Sequence, residues 1–269
     1  MELKELSVKR APERPYLVAL WPLLAQAAST ALVSVTRPEP ELELGAAESA
    51  GLSLTYIVLL FATATLILYL IKKGLIKLLK VLLVVSLFYT ASISLAGIFA
   101  EVRLPGVVAL PLAAAATWLG LQPGIAGNVA KAFLAASVAY LFVSIFPEIF
   151  TLTFLGMLAA YDAYAVFRGP LGKIFGQIGR SEDPLKPLMI AHGRVSMGLG
   201  DLFAYSLASA SSTRMLGLPE ALIPLALLNV GVLLTLRILY SRRGVLPVLT
   251  LPVLLWLLGI ASVKFSRYV

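Results

Sequence analysis

Cysteine is absent from the 269-residue sequence, and histidine occurs once, at His192. The first absence excludes disulfides, thiolate nucleophiles, iron–sulfur clusters and cysteine-ligated zinc. The second leaves too few soft ligands for a typical zinc or haem site, and the acidic residues do not gather as a magnesium or calcium cage requires. Neither a metal nor a cofactor is expected. Charge is also scarce: charged residues make up 13% of the chain and hydrophobic ones 59%, roughly half the charged share of an ordinary soluble domain. That excess of apolar surface needs lipid around it. Low-complexity tracts and long polar stretches are missing too, so the chain reads as one membrane-embedded domain over 1–269, all-α and polytopic.

What is present is a series of apolar runs cut by charges, prolines and glycines. They predict nine transmembrane helices at about 16–36, 51–71, 76–100, 104–121, 128–146, 148–167, 190–213, 219–240 and 244–263. Spans one to six thus fall in 1–167, a connection in 168–189, and spans seven to nine in 190–269. The turn at Phe146-Pro147-Glu148 makes the fifth and sixth an antiparallel hairpin. The first run is about twice the length of a signal-peptide apolar region and lacks a small-residue cleavage site, so it reads as a retained anchor.

The net charge of +8 does not point to nucleic acid, because the basic residues are dispersed among the connections rather than gathered on one face. Their placement is a topology signal. With the amino terminus in the cytoplasm, only Arg37, Arg103, Arg214, Lys264 and Arg267 of the 22 basic residues fall outside. The positive-inside rule therefore places the amino terminus in the cytoplasm and the carboxyl terminus outside the cell membrane. The outer connection with Glu39, Glu41, Glu43 and Glu48 reads as a solvated loop. No convincing inverted repeat relates the two halves, which weighs against the commonest transporter architectures.

The sequence has three aspartates. Asp183 lies in the polar stretch Ser181-Glu182-Asp183-Pro184, whereas Asp162 and Asp201 sit inside apolar spans, where a carboxylate is costly and marks a partner or an aqueous cavity. Counted by helical rise from Arg168 and Arg194, the two lie about 9 and 10 Å deep, at nearly one level on consecutive antiparallel helices. Gly198-Leu199-Gly200 before Asp201 would let helix backbones approach closely. Two carboxyls sharing one water would share a proton, one acting as general base and the other as general acid, which is peptide hydrolysis without metal or covalent intermediate. On the two acids alone, a proton- or cation-coupled transporter outweighs both a protease and a noncatalytic scaffold that pairs helices. The flanking residues shift that balance.

Tyr161-Asp162 on the sixth span, Gly198-Leu199-Gly200-Asp201 on the seventh and Pro247-Val248-Leu249 opening the ninth resemble the YD, GxGD and PAL motifs of the presenilin and signal peptide peptidase family. Three motifs fall in order on the expected three of nine spans. The resemblance implies a presenilin-like fold and an intramembrane aspartyl protease with Asp162 and Asp201 as its catalytic pair. Valine replaces the usual alanine of the third motif, and Pro252-Val253-Leu254 is a second candidate for it; by helical rise the two prolines lie about 6 and 13 Å deep and bracket the aspartates. The lack of cysteine and the many alanines and leucines fit a microbial or archaeal-type member.

The resemblance further implies transmembrane peptides or proteins as substrates, taken from the lipid bilayer. The charge distribution matches the presenilin orientation, not that of signal peptide peptidases, and so predicts substrates with a cytoplasmic carboxyl terminus. Oligomeric state and partner subunits are not legible. A substrate helix must be unwound before cleavage, and an unwound strand inside lipid needs hydrogen-bond partners. The connection containing Gly169, Gly172, Gly176 and Gly179, or the Pro247 segment, would supply an edge strand for it. Of the remaining residues, Tyr161 is expected to hydrogen-bond the aspartates, Lys131 to snorkel, His192 to sit solvated at the inner boundary, and Trp21, Trp118 and Trp256 to serve as membrane aromatics.

Overall fold

The computed structural model describes residues 15–167, 186–192, 195–241 and 247–267. Nine α-helices occur among them: α1 Leu20–Thr36, α2 Ala46–Lys72, α3 Ile76–Glu101, α4 Ala109–Leu121, α5 Ile125–Ile145, α6 Glu148–Phe167, α7 Leu199–Leu216, α8 Leu218–Ser241 and α9 Thr250–Ser266. Six helical segments are long and apolar enough to cross a membrane, the first being Leu17–Thr36. The segment Gly106–Leu121, which includes α4, and the helix α9 are apolar but shorter, and α7 is too polar to be counted with the six. The glycines at 169, 172, 176 and 179 lie outside the described residues.

The architecture is not purely helical. The run expected to open the seventh span at residue 190 instead forms a two-stranded antiparallel sheet, β1 Met189–His192 and β2 Val195–Gly198, and α7 begins only at Leu199. Short apolar runs fit a strand as well as a helix, and here the strands carry β-branched Ile190 and Val195 on either side of a two-residue connection between His192 and Val195, which suits a hairpin. The ninth helix also starts later than expected, at Thr250. Pro252 then occupies the first turn of α9, where its missing N–H costs no helical hydrogen bond.

Helix α7 forms the middle of the bundle, packed by α1, α5, α6, α8 and α9. Its low hydropathy follows from that place, since Ser206, Ser209, Ser211, Ser212 and Thr213 are buried in protein and not in lipid. All of these hydroxyls but that of Ser206 are hydrogen-bonded. Ser212 and Thr213 bond back to the carbonyls of Ala208 and Ser209, Thr30 of α1 meets Ser209 at 2.7 Å, and Ser29 donates to the carbonyl of Ser206 at 3.1 Å. Small hydroxyl residues let helices approach closely and hydrogen-bond across the contact, which is how membrane bundles cohere without a hydrophobic drive between helices. Trp256 of α9, expected as a membrane aromatic, is fully buried instead and donates its indole N–H to Ser212 Oγ at 2.7 Å.

Two further contacts fix the frame. Gln26 of α1 and Asn229 of α8 exchange amide hydrogen bonds of 3.1 and 2.9 Å. Helices α8 and α9 interlock reciprocally: a Cβ on Gly231 would fall 2.5 Å from Pro252 Cα, and one on Gly259 would fall 2.6 Å from Pro224 Cα. At the far end, Arg214 donates to the carbonyls of Val143 and Phe146 and so caps α5. The acidic connection, expected as a merely solvated loop, is tied there too, with the amides of Glu41 and Leu42 bonded to the carbonyls of Ser144 and Ile145.

Candidate active site

Asp162 lies in the closing turns of α6 and Asp201 in the first turn of α7, on helices that pack together, so chain direction brings both to the same end of the bundle. Asp162 binds the same Val248–Leu249 segment that Tyr205, on the helix of Asp201, also binds. The depth count from Arg194 does not hold, because β2 and not helix precedes Leu199. What the two carboxylates share is that each is seated at the start of a helix.

Asp201 is the third residue of its own helix. Its Oδ2 accepts the N–H of the N-cap Gly198 at 3.0 Å, the carboxylate half of a capping box. Gly198 and Gly200 do not serve a close approach of helix backbones. A Cβ at Gly198 would meet Asp201 Oδ2 at 3.4 Å, and among the described residues nothing lies within 4 Å of one at Gly200. The first glycine thus leaves room for the carboxylate, and the second leaves open space beside it. Leu199 between them is half-buried against the core.

Asp162 uses a helix start that belongs to another element. Its Oδ2 accepts the N–H of Leu249 at 2.7 Å, and Leu249 is the N-cap of α9. The backbone of Thr250 and Val248 faces the same carboxylate. Helix starts carry unpaired N–H groups and a positive dipole end, which suits an acidic partner. Two side chains hold this segment in place: Thr250 Oγ1 donates to the carbonyl of Ala159 at 3.0 Å, and the buried Tyr205 donates its O–H to the carbonyl of Val248 at 2.7 Å. Tyr205 lies one turn beyond Asp201, so the helix of one aspartate supports the segment that binds the other.

Of the two proline-led candidates, Pro247-Val248-Leu249 meets Asp162, while Pro252 and Val253 are buried in the bundle and Leu254 is exposed. The helical depth count for these prolines does not apply, since the helix begins after Pro247. This segment forms a turn and not a strand; the strands are in the hairpin next to Asp201. Tyr161 departs from expectation as well. Its ring packs edge-on against Phe61 of α2, 6.5 Å between centroids, and among the described residues its hydroxyl bonds to neither aspartate. His192 falls in β1 as the residue paired with Val195. Lys131 does not snorkel: it is 3% exposed and donates its ammonium to the carbonyl of Met189 at 3.0 Å.

Sequence reasoning passed over Tyr205 and Thr250. The signal for Tyr205 was its position four residues beyond Asp201, on the same helix face; nothing local marks Thr250. A cavity of about 610 Å³ lined by Arg37, Glu39, Glu148 and Arg214 lies at the opposite ends of these helices, away from both aspartates. Among the described residues, no group of His, Asp and Glu could hold a metal ion.

Fold and site together define a polytopic helical membrane protein in which two carboxylates from adjoining helices converge at one end. Two solved structures of a presenilin family intramembrane aspartate protease, in C222 and P2 crystal forms, share the architecture. The first superposes with a TM-score of 0.63 at 21% identity over 92% of this chain and 99% of that one; the second gives 0.62 at 21% over 91% and 96%. No protein-family model and no curated protein matches the sequence. The chain is therefore an integral multi-pass membrane protein with the presenilin fold.

Proposed function

We propose that this chain is an intramembrane aspartyl endopeptidase, with Asp162 and Asp201 hydrolysing peptide bonds of transmembrane segments. The observation that carries the reading is the matched seating of the two carboxylates. Each engages its Oδ2 with a backbone N–H at a helix start, in the fold of known intramembrane aspartate proteases, and this reading assigns the other oxygen of each to the chemistry. A water held between the free oxygens loses its proton to the carboxylate that is ionised and attacks the substrate carbonyl. The protonated partner hydrogen-bonds the carbonyl oxygen and then delivers a proton toward the leaving amine. Neither aspartate forms a covalent bond to substrate.

The rest of the site serves access and placement. Open space beside Gly200 admits an extended substrate backbone to Asp201. The hairpin β1–β2, adjoining the catalytic helix, offers a strand edge to which an unwound substrate adds, so that its backbone groups remain paired inside the membrane. All nine helices cross or enter the bilayer in this reading, with the amino terminus in the cytoplasm and the carboxyl terminus outside. Substrates then present a cytoplasmic carboxyl terminus.

The test is digestion of a synthetic transmembrane peptide by the purified protein, beside folded Asp162→Asn and Asp201→Asn variants. Wild type is expected to cut the peptide, and each variant to lose roughly 100-fold or more of the rate. A wild type that leaves the peptide whole while carrying ion flux in vesicles would replace the protease with a coupled transporter. Neither activity, with a loss of stability in the variants, would leave a scaffold.

A further inference from the structure

Lys131 lies in α5, not in the motif-bearing helices, yet it is among the most buried charged residues of those described, at 3% exposure. Its stem passes over Gly120 of α4, where a Cβ would come 4.0 Å from Lys131 Cγ. Among the described residues its ammonium has one partner, the carbonyl of Met189 at 3.0 Å. An ammonium inside a membrane bundle is costly and is retained where it has work to do.

The register of the hairpin identifies that work. His192 pairs with Val195 across a two-residue connection, Ile190 pairs with Met197, and Met189 pairs with Gly198. In a hairpin closed by two residues the pair beside the loop is hydrogen-bonded, and bonding alternates along the ladder. Met189 and Gly198 are then a pair whose N–H and C=O groups point away from each other. One outward group on each edge is taken: Lys131 holds the carbonyl of Met189 on one, and Asp201 accepts the N–H of Gly198 on the other. No ladder bond closes the mouth of the hairpin. It is held from outside by one ammonium and one catalytic carboxylate.

We propose that Lys131 is a positioning residue for Asp201. By clamping Met189 it fixes the open end of the hairpin, and through the opposite strand it sets where Gly198 places the Asp201 carboxylate. The catalytic part of this inference rests on the protease reading above; the clamp itself does not.

Two measurements on Lys131→Met, with Lys131→Arg as the conservative variant, separate these parts. Hydrogen exchange across 186–200 reads the clamp without reference to activity: the Met197, Gly198 and Leu199 amides are expected to exchange about tenfold faster in Lys131→Met, with α8 unchanged and Lys131→Arg close to wild type. Cleavage kinetics read the positioning. The expected result is a fall in kcat of roughly 10- to 100-fold with KM little moved, a displaced pH profile of kcat, and recovery in Lys131→Arg. Unchanged exchange overturns the clamp, and faster exchange with a wild-type kcat and pH profile overturns the positioning role. If wild type itself does not cleave, the protease reading and the positioning fall together, while exchange still decides the clamp. Lys131→Gln, which keeps a neutral donor, carries the same two measurements if the methionine variant does not fold.

Discussion

Replacing Tyr205 with phenylalanine removes a single oxygen, one turn beyond Asp201, and with it the 2.7 Å hydrogen bond to the carbonyl of Val248. The ring is fully buried, so its packing survives and the loss is confined to the polar contact. A carbonyl left without its donor in such a place costs about 1–3 kcal/mol. On the protease reading that cost has a catalytic address, because Val248 precedes the residue whose N–H holds Asp162 at 2.7 Å. If the whole of it falls on the placement of Asp162, kcat drops about 5- to 150-fold, at 1.36 kcal/mol per decade. The assay is peptide cleavage resolved into kcat and KM, run beside thermal unfolding of the same preparation. KM should move little, since the hydroxyl is committed to the carbonyl of Val248. A phenylalanine variant with kcat within twofold of wild type refutes the reasoning, and so does one whose unfolding temperature falls while kcat stays put.

Two other perturbations probe the frame. Gly231→Ala and Gly259→Ala each drive a methyl to within 2.5 or 2.6 Å of a proline Cα, so each should cost about 1–3 kcal/mol of stability, read by unfolding in detergent; alanine tolerated at both sites would mean that α8 and α9 are not interlocked. Gln26→Leu and Asn229→Leu should show coupling in a double-mutant cycle of about 0.6 kcal/mol and no more than about 1.7, and strict additivity would deny the amide exchange between α1 and α8.

The two aspartates were legible because they break the rule of their surroundings: an ionisable group in an apolar run announces itself without any knowledge of the fold. Helix spacing was legible too, since lipid imposes length on each run. The hairpin was not. Met189-Ile190-Ala191-His192 has no alternation that distinguishes strand from helix, and what decides is the long-range clamp from Lys131 and the demand of Gly198 as an N-cap. Lys131 itself was misread because a lysine stem long enough to reach the membrane surface is equally long enough to reach a neighbouring strand; only the direction α5 faces separates the two. The choice between Pro247 and Pro252 depended in the same way on a partner some 87 positions away in the chain, the separation between Asp162 and Leu249. Local chemistry marked the acids, and tertiary contacts assigned their neighbours.

The hydroxyl-rich α7 carries a consequence for biogenesis. A segment with Asp201, Arg214 and a row of serines gains little by entering lipid alone, and at a translocon its aspartate and arginine oppose integration. It becomes favourable in the bilayer only when α1, α5 and α8 are there to receive its side chains. The helix bearing Asp201 is therefore expected to settle late, after the more apolar helices have partitioned, so that the two acids meet only once the surrounding bundle exists. On the protease reading, assembly order acts as a safeguard: a half-synthesised chain has no competent pair with which to cut its neighbours at the site of insertion.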